Sequence, residues 1–176
     1  MKAIIIGCGR VGATIARALE NAGHEVTIVD VVTKAFDRLP AAFRGNAVRG
    51  DGTDEDTLRR AGAEGADLFL SLTEGDNRNI MAAQLAVEAL GIPRVFAKVN
   101  DPLRAAAYAE LGIGTICRTT LMADALLGVL GEPFGAEPSI REATGHPHVG
   151  GGPAVTAGPA VNAVRAVDAA PAAREA

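Results

Sequence analysis

One stretch constrains the fold of this chain more than any other. Ala3-Ile4-Ile5-Ile6, a short apolar run rich in β-branched residues, breaks directly into Gly7-Cys8-Gly9-Arg10-Val11-Gly12. A continuous apolar run that ends in glycine reads as a parallel strand buried on both faces. Val11, Ile15, Ala18, Leu19 and Ala22 then recur at helical spacing, and Gly23 supplies a stop. Taken alone, G-x-G-x-x-G is weak, but here it follows a strand and opens a helix, the setting in which it holds a pyrophosphate. Gly7 permits the tight turn, Gly9 the approach of backbone to phosphate, and Gly12 close packing of helix on sheet. The helix N-terminus adds unpaired N–H groups and partial positive charge.

Glu25 to Asp30 (EVTIVD) is the second strand. Asp30 ends it about 20 residues beyond the loop, where a carboxylate accepts hydrogen bonds from ribose hydroxyls. Val31-Val32-Thr33 follow, with no arginine to hold a 2′-phosphate, so NAD(H) or another adenosine nucleotide is expected over NADP(H). The competing reading is a doubly wound domain whose loop has lost its ligand. Arg10 reads either as a contact to a terminal or bridging phosphate or as a solvated first-turn cation. Cys8 sits where a helix N-terminus lowers a thiol pKa, although many small residues fit that slot.

The rest of residues 1–131 alternates in the same rhythm. Helices are expected over Lys34–Phe43 (despite Pro40), Asp54–Ala61, Asn77–Leu90, Leu103–Leu111 and Thr120–Leu130, the second capped by Thr53 or Asp54. Strands are expected over Asn46–Arg49, Asp67–Leu72, Arg94–Val99 and Gly114–Cys117. This predicts an α/β, Rossmann-like, doubly wound parallel sheet of six strands in the order 3-2-1-4-5-6. Residues 132–176 are rich in Ala, Gly and Pro and predict a flexible tail, with a short ordered stretch around Pro138 to Ala143. His146 and His148 in that tail have a spacing that metals use, but a flexible segment is a poor place to fix it.

The chain's 176 residues allow one domain with a core of useful size. The formal charge of −4 and the 3% of aromatic residues argue against nucleic acid as a partner, which needs a basic face and stacking rings. No run approaches the roughly 18–20 apolar residues of a membrane span, and no signal-peptide cleavage region follows Met1-Lys2. The two cysteines are too few for a disulfide framework. The expected location is cytoplasmic.

Several further segments carry a family likeness. Lys2 to Gly12 and Gly23 to Asp30 are joined by Gly50-Asp51-Gly52-Thr53, Ala61-Gly62-Ala63 and Ala66-Asp67. Thr73-Glu74-Gly75-Asp76-Asn77-Arg78-Asn79, Ala97-Lys98-Val99-Asn100-Asp101-Pro102 and Leu111-Gly112 complete the set. Together these resemble the N-terminal nucleotide-binding domain of potassium-conductance regulators, the RCK domains, which include the Trk/Ktr-type potassium-uptake regulators. The resemblance implies that Asp51 lies beside the adenine and that Thr73 and Glu74 lie over the pyrophosphate or second nucleoside. It implies also that Lys98 faces the ligand phosphates. The residues themselves leave alternatives. Asp51 and Thr53 could merely cap a helix, and Asp76 and Asn79 begin one. A lysine in an apolar strand costs free energy unless something anionic answers it.

The chain departs from the family in having Arg118-Thr119-Thr120 where a proline is common, and the family's C-terminal subdomain has no counterpart in the tail. A dehydrogenase would need a proton-transfer residue beside the nicotinamide. The single tyrosine, Tyr108, is followed by Gly112 instead of the lysine of a Tyr-x-x-x-Lys pair, and His24 is remote from that place. The expectation is therefore a regulator and not an enzyme, with NAD(H) or ADP/ATP as ligand and a membrane potassium-transporter subunit as partner. Homodimers, or assemblies with another RCK protein, are implied through the Leu121, Met122, Leu126, Leu127 and Leu130 stripe, whose alternative is packing on the sheet. A small NAD-dependent oxidoreductase and a stand-alone nucleotide sensor are the competing readings.

Overall fold

The computed structural model describes residues 1–132. Six strands form one parallel sheet: β1 (Lys2–Ile6), β2 (Glu25–Asp30), β3 (Asn46–Arg49), β4 (Leu68–Ser71), β5 (Val95–Val99) and β6 (Gly114–Cys117), in the order β3-β2-β1-β4-β5-β6. Five helices connect or follow them: α1 (Arg10–Asn21), α2 (Glu55–Arg60), α3 (Asp76–Glu88), α4 (Pro102–Glu110) and α5 (Arg118–Leu130). The expected topology is thus the one observed.

The register explains why the strands are apolar on both faces. Ile5 pairs with Ile28 on one side and Leu70 on the other, which centres β1 in the sheet. Successive side chains point to opposite faces. Ile4, Ile6, Val29 and Phe69 meet Leu58 of α2 and Ile80 and Ala83 of α3. Ala3, Ile5, Val26 and Ile28 meet Ala13 and Ala16 of α1 and Ala35. Burying each isoleucine side chain contributes about 1.5–3 kcal/mol. From β1 the chain runs outward to β2 and β3, then returns to the opposite flank at β4. The loops after β1 and β4 therefore diverge, and a crevice opens at the carboxyl ends of the strands.

Several boundaries differ from expectation. In place of a helix over Lys34–Phe43 there is a 3₁₀ helix, Thr33–Arg38, ended by Leu39 in an extended conformation (φ −78°, ψ 141°). Pro40 follows, and a proline drives the residue before it out of the helical region. Asp54, not Thr53, caps α2, accepting from Thr57 N at 3.1 Å and Thr57 Oγ1 at 2.6 Å. α5 starts at Arg118, directly after β6, instead of at Thr120. No residue of α5 is buried: Leu121, Met122 and Leu126 are each more than half exposed and Leu130 is 72% exposed. The stripe therefore does not pack on the sheet within the described chain. No helix among the described residues is long and apolar enough to cross a membrane. The expected tail from residue 133 onward, with Pro138–Ala143, His146 and His148, lies outside the described residues.

Candidate nucleotide site

The turn after β1 is fixed by two glycines. Gly7 has φ +99°, a left-handed conformation that costs an L side chain energy, and its N–H donates to Val29 O at 2.7 Å. A Cβ on Gly7 would meet the Leu72 carbonyl carbon and Thr73 N at 3.1 Å. A Cβ on Gly12 would run into the Gly7 carbonyl oxygen. Gly9 is different. It is the N-cap of α1 with φ −76°, makes no side-chain cap, and has no atom within 4 Å of where its Cβ would lie. The fold does not require glycine there, and the open space faces the crevice.

Asp30 ties this loop to the end of β2. Its Oδ2 accepts from Cys8 N at 2.7 Å and its Oδ1 from Val32 N at 2.8 Å. Each carboxylate oxygen keeps acceptor capacity for a hydroxyl. Cys8 is fully buried, and its Sγ donates to the Ala35 carbonyl at 3.3 Å. Burial pushes the thiol pKa up, Asp30 adds to the rise, and Arg38 opposes it. The thiol is a packed structural group, and the N–H of Cys8 is what ties the loop to Asp30.

On the same flank, just after β3, Asp51 accepts at Oδ1 from Thr53 N (2.9 Å) and Thr53 Oγ1 (2.8 Å). That bond pattern is a local turn, not a helix cap, and it leaves Oδ2 out. Thr73 is held by the buried side chain of Asn79, which accepts from Thr73 N (2.8 Å), Thr73 Oγ1 (2.6 Å) and Ser71 Oγ (3.1 Å). Its Nδ2 donates to Thr73 O (3.0 Å) and Lys98 O (2.8 Å). A backbone N–H on one side and carbonyls on the other allow a single amide orientation. Asn79 therefore fastens β4, α3 and β5 together and does not cap α3, whose N-cap is Gly75. Asp76 accepts from Asn100 N (3.0 Å), Asn100 Nδ2 (2.7 Å) and Asp101 N (3.3 Å), locking the turn after β5.

A cavity of about 640 Å³ fills the crevice. Of the predicted residues it is lined by Gly7, Cys8, Gly9, Asp30, Asp51, Thr73 and Glu74. Arg10 lies instead on an adjoining cavity of about 310 Å³, while Val11, Gly12 and Lys98 line neither. Val11 is 56% exposed, and Gly12 serves packing. Lys98 is half-buried on β5. Burial and Arg118 lower its pKa, and Glu74 and Asp76 oppose that fall, which puts two cations and two carboxylates in one neighbourhood beside the crevice. Sequence reasoning passed over Lys34, Arg38 and Arg78, all of which line the larger cavity. For Arg38 the sequence signal is partial: Pro40 limits the helix after β2, but where Arg38 then lies is set by packing.

Residues 3–119 match the family model described as TrkA-N domain. The Trk system potassium uptake protein TrkA of Streptomyces coelicolor is 46% identical over 145 residues, covering 82% of this chain and 65% of that protein. A TrkA homolog of Pyrococcus abyssi is 32% identical over 111 residues, covering 63% and 49%. The chain thus spans from about half to just under two thirds of the length of these relatives. Among solved structures, the TrkA-N domain of the inner membrane protein YbaL from Escherichia coli superposes with a TM-score of 0.65 at 19% identity, covering 73% of this chain and 96% of that one. The NAD-bound GsuK channel gives 0.61 at 20% identity (73% and 23%), and ADP-bound GsuK gives 0.60 at 20% (73% and 34%). These structures share the fold. By the match over residues 3–119, the chain belongs to the TrkA-N domain family.

Proposed function

We propose that this domain is a regulatory, non-catalytic module of a Trk-type potassium-uptake system, placed at the cytoplasmic face of the membrane by its partner. Adenine-nucleotide occupancy of the crevice would bias a membrane transporter subunit. The observation that carries this reading is the joint between Gly9 and Asp30. An open, side-chain-free N-cap stands next to a carboxylate anchored by the loop's own N–H, so phosphate and ribose can be held a few ångströms apart. NAD(H) is the foremost ligand, with ADP or ATP in the same place. Gly7 to Gly12 would cradle the phosphates, Arg10 would reach an outer phosphate, and Asp30 would bind ribose. Asp51 would lie beside the base, and Thr73, Glu74 and Lys98 would address the far half of the ligand. The potassium-uptake relatives and the NAD- and ADP-bound structural neighbours support this choice.

For the nucleotide to act as a signal, it must bind two states of the assembly unequally. The diverging β1 and β4 loops are the elements such a ligand bridges. Calorimetry of the full chain with NAD+, NADH, ADP and ATP tests the reading. At least one should bind well below millimolar, and Asp30→Ala should weaken it by about tenfold or more, 1.4 kcal/mol or above. If none binds the wild type below roughly millimolar, about −4 kcal/mol, the reading fails.

A further inference from the structure

The first turn of α3 carries four polar side chains in a row, and three of them are bound to neighbours in the fold. Asp76 holds Asn100, Asn77 accepts from Arg104 of α4, and Asn79 fastens Thr73 to Lys98 O. Arg78 differs. It is exposed, it lines the 640 Å³ crevice, and neither ion pair among the described residues includes it. A cation in the first turn of a helix opposes the helix dipole, so its place there costs stability unless an anion answers it.

The wall that carries Arg78 abuts the glycine loop. A Cβ on Gly7 would meet Thr73 N at 3.1 Å, so the turn after β4 runs directly against the turn after β1. Gly75, the N-cap of α3, supplies no capping side chain, and its Cβ would lie 3.8 Å from Arg78 Cβ. Of the three cations that line the crevice, Lys34 and Arg38 follow β2, and Arg78 alone follows β4. Strand β1 lies between those two flanks. With the adenosine ribose on Asp30 and the first phosphate over Gly9, the ligand continues toward the β4 flank. Glu74 lines that flank too, and its carboxylate repels a phosphate unless a cation offsets it. The planar fork of arginine supplies that cation and grips phosphate through two parallel hydrogen bonds.

We propose that Arg78 binds the second phosphate of the nucleotide, so that the crevice selects ligands with a pyrophosphate, NAD(H), ADP and ATP, over a nucleoside monophosphate. This rests on the nucleotide-binding reading above and names a specificity residue for it. Calorimetry of the full chain with ADP and NAD+, and displacement of ADP by AMP, test it in wild type, Arg78→Gln and Arg78→Lys. The side chain is exposed, so both variants should fold, which thermal melts check. Wild type should bind ADP and NAD+ at least about tenfold more tightly than AMP, and Arg78→Gln should shrink that gap about tenfold by weakening the two pyrophosphates alone. Arg78→Lys, which keeps the charge and loses the fork, should fall between them. Unchanged ADP and NAD+ affinities in Arg78→Gln overturn the assignment while leaving the nucleotide site standing. An equal loss for AMP does the same, because it marks a general disturbance of the crevice. Failure of the wild type to bind any adenine nucleotide defeats this inference and the nucleotide-binding reading together.

Discussion

Gly9 and Gly12 stand three residues apart in one motif, yet they answer to different demands. Gly12 is required by the protein, because a methyl group there would enter the Gly7 carbonyl. Gly9 has ordinary dihedral angles and open space, so the fold leaves room for a side chain there and the proposed phosphate would not. The two alanine variants should therefore separate stability from binding. Gly12→Ala should lose about 2 kcal/mol or more in urea unfolding, as overpacked sites do. Gly9→Ala should keep its unfolding midpoint and lose nucleotide affinity by about tenfold. Equal nucleotide affinity in Gly9→Ala and wild type would contradict a phosphate placed over that residue. Asp30 shows how the motif reaches beyond itself: a residue chosen from the sequence as a ribose acceptor also holds the loop through Cys8 N–H. Its substitution removes that bond as well as the proposed ribose contact, so Asp30→Ala needs a melt beside every titration.

At the scale of elements, the carboxyl edge of the sheet is held by side chains buried under it. Asn79 is the fourth residue of α3 and completely buried, and its single amide makes five bonds to Ser71, Thr73 and Lys98. Removing it strands several polar groups at once, each costing about 1–3 kcal/mol when left without a partner. Asn79→Ala should lower stability by about 3 kcal/mol and loosen the turn carrying Thr73 and Glu74, visible as faster amide exchange there. Unaltered exchange at Thr73 would show that the strand, not the amide, holds that turn. In sequence this asparagine reads as an ordinary first-turn residue, because nothing local reveals that β5 runs beside it. The 3₁₀ helix makes the opposite point. Pro40 is visible in the sequence, but where the shortened helix leaves Arg38 depends on its packing against α1.

For the whole molecule, the last helix presents an apolar surface that the described chain leaves uncovered. Leu121, Met122, Leu126 and Leu130 are exposed, and Val129 is 86% exposed. A second copy of the chain is the occupant implied by the family resemblance, and the chain should then be dimeric in light scattering at micromolar concentration. Leu121→Asp with Leu126→Asp should give a monomer with an unchanged circular dichroism spectrum, because neither residue belongs to the core. A wild type that is monomeric at that concentration overturns the assignment. The alternating apolar runs and glycine stops were enough to determine the class of fold, the strand order and the loop that opens the crevice. Those features follow from periodicity and backbone sterics, which are local and written residue by residue. Only the tertiary structure decided that Arg38 lines one cavity with Arg10 and Arg17, that Asn79 binds three elements, that Lys98 stands beside the larger cavity instead of lining it, and that α5 is left uncovered by the other described residues. Each of these depends on segments far apart in the chain meeting at the carboxyl edge of one sheet, where packing, not local preference, sets the distances.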